Sequence, residues 1–264
     1  MIIWKRMKAF IKHILLLVAA LSLFSCRKDA PAGKWVLAEY TCKSDKSDQR
    51  NTSQYDDQGR ITRATEDTKD VITMYLTYSY EQNTITRLML LDLSKPEEWD
   101  TKTVFTLDNA GRVVKAVEED TQKTRIYTYS PDGFLVKVTD AEGKVTVYSW
   151  KNNSLEKIVR PDGSTVKYTY SNKESLGLYL TNDNEKGDYD LARMGYFGKN
   201  SRLLPAKIED VTADGKVVLT REYNYTEFDA HAHLLGYTET TTVSMVPPET
   251  TTTETYKLTW KNLP

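Results

Sequence analysis

The chain has 264 residues with nearly balanced charge, 36 basic against 37 acidic, and a formal net charge of −1 at pH 7. Scattered, balanced charge lacks the basic surface that nucleic-acid binding requires, so we expect no nucleic-acid partner. The 17 tyrosines favour β-strands, and the length suffices for one β-domain or two smaller units.

The N-terminus has the features of an export signal that ends at Cys26. Basic residues without acids lie in residues 1–13, an apolar run interrupted only by Ser22 follows over residues 14–24, and Ser25 precedes Cys26. This order predicts a lipoprotein signal peptide over residues 1–25, lipidation of Cys26 and a polar tether over residues 26–34. A membrane anchor is an alternative, although spanning a bilayer takes about 18–20 apolar residues. An ordinary secretory signal peptide, without lipidation, is the second alternative.

Cys42 is the only other cysteine of the chain. With Cys26 acylated, a disulfide within one chain is not expected. Cys42 is therefore either a small buried side chain or an exposed thiol near the tether.

Beyond the tether, the sequence predicts one β-domain over residues 35–264, because aromatic side chains recur two residues apart. In the centre of the chain the period is about 20–22 residues, which indicates a repeated supersecondary unit. The clearest copies are Tyr78 with Tyr80, Tyr127 with Tyr129, Tyr148 with Trp150, Tyr168 with Tyr170, and Tyr223 with Tyr225.

Each repeat is predicted to be a β-hairpin. Pro-Asp-Gly occurs at residues 131–133 and 161–163, which suits a type I turn followed by a glycine bulge. Apolar and aromatic residues alternate with Thr and Lys, so one face of the sheet is buried and the other is polar. We predict an all-β fold, an antiparallel up-and-down meander rolled into a barrel or half-barrel, with a flat sheet as the alternative. The polar outer face favours a water-soluble barrel over a transmembrane one.

Residues 174–205 interrupt the repeat, and we call this segment the insertion. It is predicted to contain a short helix near Tyr189 and to cap one end of the barrel or to plug its interior. The aromatic side chains of Trp99, Tyr189, Tyr196 and Phe197 form a candidate binding patch for a glycan or an envelope protein if they are exposed together. Completion of the hydrophobic core is the alternative role for these residues.

Asp229, His231 and His233 form a candidate metal site. On a strand, residues at i, i+2 and i+4 share one face, and a carboxylate with two imidazoles suits Zn²⁺. Glu227 would then be the base of a metal-dependent hydrolase. No nucleophile elbow or phosphate-binding loop occurs, so we expect no enzymatic activity and no cofactor. The Thr-rich residues 238–260 are predicted to form a final hairpin, with a mucin-like stalk as the alternative.

Two resemblances add to this interpretation. Residues 55–62, Tyr-Asp-Asp-Gln-Gly-Arg-Ile-Thr, look like the YD-repeat of the Rhs class of secreted β-rich proteins. The signal, the paired aromatic residues and the segment 195–205 resemble a family of Bacteroidota lipoproteins of unknown activity with a porin-like fold. This resemblance implies a barrel-like fold and an envelope location but no catalytic residues.

Together these features predict an outer-membrane lipoprotein that acts as a non-catalytic binding or structural module. Its partners would be the membrane, through Cys26, and a glycan or an envelope protein. Periplasmic and cell-surface display both remain open.

Overall fold

The computed structural model describes residues 34–44, 48–68, 71–91, 99–176, 178, 187–245 and 248–263. The predicted signal peptide, Cys26 and residues 26–33 of the tether lie outside these ranges and stay predictions. In the described part of the chain, no helix is long and apolar enough to span a membrane.

The described residues form sixteen antiparallel strands in one closed barrel, in which each strand pairs with its neighbours in sequence and β1 lies beside β16. The predicted all-β meander is therefore confirmed, and it closes completely instead of forming a half-barrel or a flat sheet. The strands are β1 (Lys34–Lys43), β2 (Asp48–Tyr55), β3 (Ile61–Thr68), β4 (Val71–Glu81), β5 (Thr84–Leu90), β6 (Thr101–Leu107), β7 (Val113–Glu118), β8 (Thr124–Tyr129), β9 (Leu135–Thr139), β10 (Val145–Lys151), β11 (Ser154–Val159), β12 (Thr165–Glu174), β13 (Leu203–Val211), β14 (Val217–Phe228), β15 (Leu234–Val243) and β16 (Thr250–Leu263).

The up-and-down order divides the connections between two ends of the barrel. The turns after the even-numbered strands lie at one end, and the insertion between β12 and β13 is among them. We call this the insertion end. The C-terminal hairpin of β15 and β16 is present, as predicted, with Tyr237 opposite Tyr256. Cys42 is buried, so the first of its two alternatives is correct.

The paired aromatic residues have two different roles. Both side chains of a pair face the lumen, because residues two apart on a strand share a face. The first, such as Tyr127 or Tyr148, is buried in the core. The second lies nearer the insertion end and donates a hydrogen bond to a backbone carbonyl of the preceding strand, as Tyr129 does to Val113 at 2.6 Å.

This hydrogen bond repeats around the insertion end. Within the described strands, every even-numbered strand except β6 carries it, and β6 has Leu107 near that end. The donors and acceptors are Tyr55 to Leu37, Tyr80 to Ile61, Tyr129 to Val113, Trp150 to Leu135, Tyr170 to Leu155, Tyr225 to Pro205 and Trp260 to Leu234. We call this set the aromatic ring. Each of these hydrogen bonds joins an even-numbered strand to the strand before it at the insertion end.

Candidate functional site

The insertion carries the helix α1 (Tyr189–Arg193) into the barrel. The Asp188 carboxylate caps the helix by accepting a hydrogen bond from the Leu191 amide at 2.7 Å, and Asp190 lies in the first turn. Aspartate is favoured at both positions, because the first backbone amides of a helix have no hydrogen-bond partner within the helix. The predicted short helix near Tyr189 is thus present.

The insertion is anchored to the barrel wall after the helix ends. The Val113 amide donates to the Tyr196 carbonyl at 2.7 Å, and the Lys199 amide donates to the Gly133 carbonyl at 3.0 Å. Gly198 has a φ of +83°, and a Cβ there would lie 2.5 Å from the Gly133 carbonyl oxygen. Only glycine permits both this left-handed backbone and this close approach.

One side of the insertion packs into the apolar lumen. Phe197 is completely buried, with its ring centroid 5.0 Å from that of Tyr127 and 6.2 Å, edge to face, from that of Phe105. Leu191 and Ala192 are also completely buried in the same core. The insertion therefore plugs the interior of the barrel at this side, which decides between the two roles that the sequence left open.

The other side of the insertion makes charged contacts with the wall. The Arg193 guanidinium donates to the Leu37 carbonyl and the Tyr55 hydroxyl at 3.0 Å each, and to Ser53 Oγ at 3.2 Å. It also pairs with Asp190 at 2.9 Å. Arg193 thereby joins α1 to β1 and β2, and to a member of the aromatic ring.

Asp188 is the centre of a second charged cluster. Its carboxylate accepts hydrogen bonds from Arg87 Nη1 at 3.2 Å and from the Tyr78 hydroxyl at 3.1 Å. The same hydroxyl lies 3.3 Å from the Asp190 carboxylate. Burial raises the pKa of Asp188 to about 6, the Arg87 guanidinium opposes this increase, and the Asp190 carboxylate adds to it.

A cavity of about 420 Å³ lies beside these charged contacts. It is bounded by strands β1 to β5 and by the start of α1. Its lining residues are Tyr40, Asn51, Thr52, Ser53, Ala64, Thr65, Glu66, Met74, Leu76, Tyr78, Arg87, Met89, Gly187, Asp188, Tyr189, Asp190 and Ala192. The volume is that of a site for a small molecule. We call this space the lumenal cavity.

The four aromatic residues predicted as a binding patch do not share one environment. Phe197 is completely buried, Tyr196 packs partly buried against the core, and Trp99 is partly exposed. Tyr189 exposes 41% of its surface and lines the lumenal cavity. Of the predicted patch, Tyr189 thus belongs to the cavity and Phe197 to the core.

The predicted metal site has a different structure. Asp229 to His233 form the turn between β14 and β15 instead of a strand. Asp229 Oδ1 accepts from the amides of His231 and His233 at 2.8 and 2.9 Å, while Asp229 Oδ2 lies 2.9 Å from His233 Nδ1. In the described residues, no group of three His, Cys, Asp or Glu side chains could hold a metal ion.

The same turn occurs at two other hairpins of the insertion end. Asp56 accepts from the amides of Gln58 and Arg60 and from the Arg60 side chain, and Asp108 does the same in the turn that ends at Arg112. The fifth residue of each turn then stacks on one side chain of the aromatic ring. Arg60 lies over Tyr80, Arg112 over Tyr129, and His233 over Trp260. Asp229 and His233 are thus a variant of a repeated turn that stabilises the hairpins.

Sequence reasoning missed Arg87, Asp188 and Arg193. Arg87 carries a signal that could have been used, since it shares the lumen-facing side of β5 with Ile85 and Met89. An arginine at an inward position of a barrel strand implies a buried acidic partner. The identity of that partner is not apparent in the sequence, because Asp188 lies 101 residues further along the chain.

No protein-family model and no curated protein matches this chain. Its structure is similar to the crystal structure of a porin-like protein from Bacteroides uniformis, with a TM-score of 0.64 and 14% identity over 85% of this chain and 98% of that one. It is also similar to a porin-like protein from Bacteroides vulgatus, with a TM-score of 0.53 and 13% identity over the same shares. These likenesses show a porin-like barrel fold.

Proposed function

We propose that the protein is a lipid-tethered, water-soluble barrel that acts as a non-catalytic binding module of the cell envelope. The observation that carries this proposal is the plugged lumen. The insertion fills the interior with Leu191, Ala192 and Phe197, all completely buried, and leaves a small cavity beside them. This arrangement suits the retention of a small ligand better than the passage of solutes.

The outer face of the barrel supports solubility in water. Lys137 is exposed at the centre of β9, Lys167 is exposed on β12, and Lys157 lies directly opposite Lys167 on the neighbouring strand. A barrel that spans a bilayer needs an apolar outer band, and lysines near the middle of that band cost about 2–4 kcal/mol each.

The position of the N-terminus bears on the orientation of the barrel. β1 begins at Lys34 at the insertion end. The chain from Cys26 to Lys34 can extend over at most about 28 Å. Acyl chains on Cys26 would therefore hold the insertion end close to the membrane, and the opposite end would face away from it.

The two arginines beside the lumenal cavity have a structural role, which supports binding over catalysis. Arg193 is engaged by four partners and Arg87 by Asp188, Thr103 and the Gly187 carbonyl. These hydrogen bonds give both arginines a role in holding the insertion in position.

The first test is to produce residues 27–264 without detergent. We expect a folded, monodisperse protein that stays in solution, because the outer face is polar. A chain that folds only in detergent or in lipid would contradict the proposal.

The second test concerns the tether. In cells expressing the full chain, we expect the wild-type protein in the membrane fraction and Cys26→Ala in the soluble fraction or retained with its signal uncleaved. A cleaved Cys26→Ala protein that remains membrane-bound would contradict the predicted lipid anchor at Cys26. Protease treatment of intact cells then distinguishes surface display, in which the protein is digested, from periplasmic display, in which it survives.

A further inference from the structure

One wall of the lumenal cavity has a row of four side chains, of which the first three are polar. Tyr40, Asn51, Glu66 and Met74 lie directly opposite one another on the adjacent strands β1 to β4. Cβ atoms of opposite residues lie about 4.5–5.5 Å apart, so the first three polar groups of the row are within reach of one small molecule. All four residues line the cavity.

The polar groups of this row are unengaged. Within the residues that the structure describes, the Tyr40 hydroxyl, the Asn51 amide and the Glu66 carboxylate have no hydrogen-bond or ion-pair partner. Burial, with Tyr189 and Asp190 nearby, raises the pKa of Tyr40 well above its usual value, so this phenol is a neutral donor and acceptor. The three side chains are partly buried, and their polar groups are accessible from the cavity to a ligand that could bond to them.

The aromatic and apolar part of the cavity wall comes from β4, β5 and the start of α1. Tyr78 and Tyr189 contribute rings, while Leu76, Met74 and Met89 contribute flexible apolar surface. A ligand must therefore combine a polar group for the row with an apolar body for this wall. Methionine side chains adapt to the shape of such a body.

The charges around the cavity favour a cation. Glu66, Asp188 and Asp190 are acidic, and Arg87 is the basic residue of the lining. Arg87 pairs with Asp188, and Arg193, which belongs to α1, pairs with Asp190. Among the described residues the Glu66 carboxylate is left without a paired cation, and an anionic ligand would be repelled by this negative charge.

We propose that the lumenal cavity binds a small organic cation, with its ammonium group on Glu66 between Tyr40 and Asn51 and its apolar body against the methionines and tyrosines. The ammonium would donate hydrogen bonds to the carboxylate and the amide oxygen, and the tyrosine rings would add cation–π attraction. This inference rests on the proposed binding function and names the ligand class of that site.

The test uses three probes of one shape and different charge on the mature wild-type protein. Benzylamine is a cation, benzyl alcohol is neutral and benzoate is an anion at pH 7.5. We expect titration calorimetry to show benzylamine binding at least about tenfold more tightly than benzyl alcohol, with no binding of benzoate. Equal binding of the amine and the alcohol would overturn the charge preference, and so would tighter binding of benzoate.

A matched pair of variants locates the site. Glu66→Gln keeps the shape of the side chain and removes its charge, and we expect it to weaken benzylamine binding about tenfold while benzyl alcohol binding stays unchanged. Glu222→Gln is the control, because Glu222 is exposed on the outer face of β14. Equal weakening by both variants would place the cation outside the cavity.

The variants and the probes separate the two proposals. A soluble, folded barrel that binds none of the three probes overturns the cation site and leaves the proposed soluble barrel intact. A chain that requires detergent overturns the proposed function before any ligand is added. The charge series on the wild-type protein also gives a result if Glu66→Gln does not fold.

Discussion

The two sides of the insertion contact the barrel in opposite ways. Toward β6 and β8, Phe197 packs against Phe105 and Tyr127, and the three rings leave this side of the lumen filled. Toward β1 to β5, Arg193 and Asp188 make directional hydrogen bonds, and the lumenal cavity lies beside them. We call these the apolar side and the charged side.

The difference shows how one segment can plug a barrel and still leave a binding site. Burial of apolar surface stabilises the fold in proportion to the area buried, so apolar side chains pack closely and leave little empty space. Hydrogen bonds stabilise only along particular directions, so the contacts that Arg193 and Asp188 make do not require the surrounding space to be filled. The apolar side thus fixes the insertion, and the charged side shapes the cavity.

The largest predicted effect belongs to the apolar side. Phe197→Ala should lower the free energy of unfolding by about 4 kcal/mol, because it leaves a void in a completely buried cluster. Chemical denaturation of the mature protein measures this loss. Val147→Ala, at a position 43% exposed on the outer face, is the control and should cost less than about 1 kcal/mol. Similar losses for the two variants would mean that the insertion does not support the barrel.

On the charged side, Arg193→Met should cost about 3 kcal/mol, because it removes the hydrogen bonds of a buried guanidinium and leaves the partly buried Asp190 carboxylate without its cation. The double variant Arg193→Met with Asp190→Asn should lose less than the sum of the two single variants, by about 1–3 kcal/mol. Arg50→Met is the control, since its ion pair with Glu39 is exposed and worth at most about 1 kcal/mol. Additive losses in the double variant would show that the pair is not coupled.

A pH series separates the charge of Asp188 from its hydrogen bonds. Its folded pKa of about 6 lies above the unfolded value of about 4, so the ionised carboxylate destabilises the fold above pH 6. That penalty disappears as the pH falls from about 6 to about 4. Asp188→Asn retains a cap for α1 and never carries the penalty.

We therefore expect the wild-type protein to gain stability relative to Asp188→Asn as the pH falls through this window. Denaturation curves of both proteins at pH 7, 6, 5 and 4.5 give the difference, in which the carboxylates remote from Asp188 cancel. A difference that is constant with pH would show that Asp188 has an ordinary pKa.

The barrel could be predicted from the sequence because its determinants are local. The Pro-Asp-Gly turns and the alternation of residues such as Val166, Tyr168 and Tyr170 specify hairpins and a buried face, and the structure has both. Closure of the sheet does not follow from these local signals, because it depends on the pairing of the first and last strands. That pairing brings together residues more than 200 positions apart.

The site was largely missed because its determinants are not local. Arg87 meets Asp188, and Arg193 meets Leu37 across 156 residues, only after the barrel has closed around the insertion. The opposite error occurred at Asp229 and His233. Their spacing matches metal ligands on a strand, but the Asx-type hydrogen bonds of aspartate favour a turn, and this local preference prevailed.

The smallest predicted effect compares one hydrogen bond on both sides of the insertion. Tyr129→Phe removes the bond of the aromatic ring to the Val113 carbonyl and should cost about 1 kcal/mol. Tyr55→Phe removes the equivalent bond to Leu37, and its hydroxyl also accepts from the Arg193 guanidinium. A bond to a charged group is worth more, so this loss should be about 2 kcal/mol.

Thermal unfolding of the two variants compares their losses of stability directly, since each substitution deletes one hydroxyl oxygen from a member of the aromatic ring. Tyr55→Phe should also weaken the cavity side, because Arg193 then loses one of the bonds that hold α1 against β2. Equal losses would mean that the aromatic ring acts independently of the insertion. A larger loss for Tyr55→Phe would show that the ring at the barrel end and the charged side of the insertion stabilise each other.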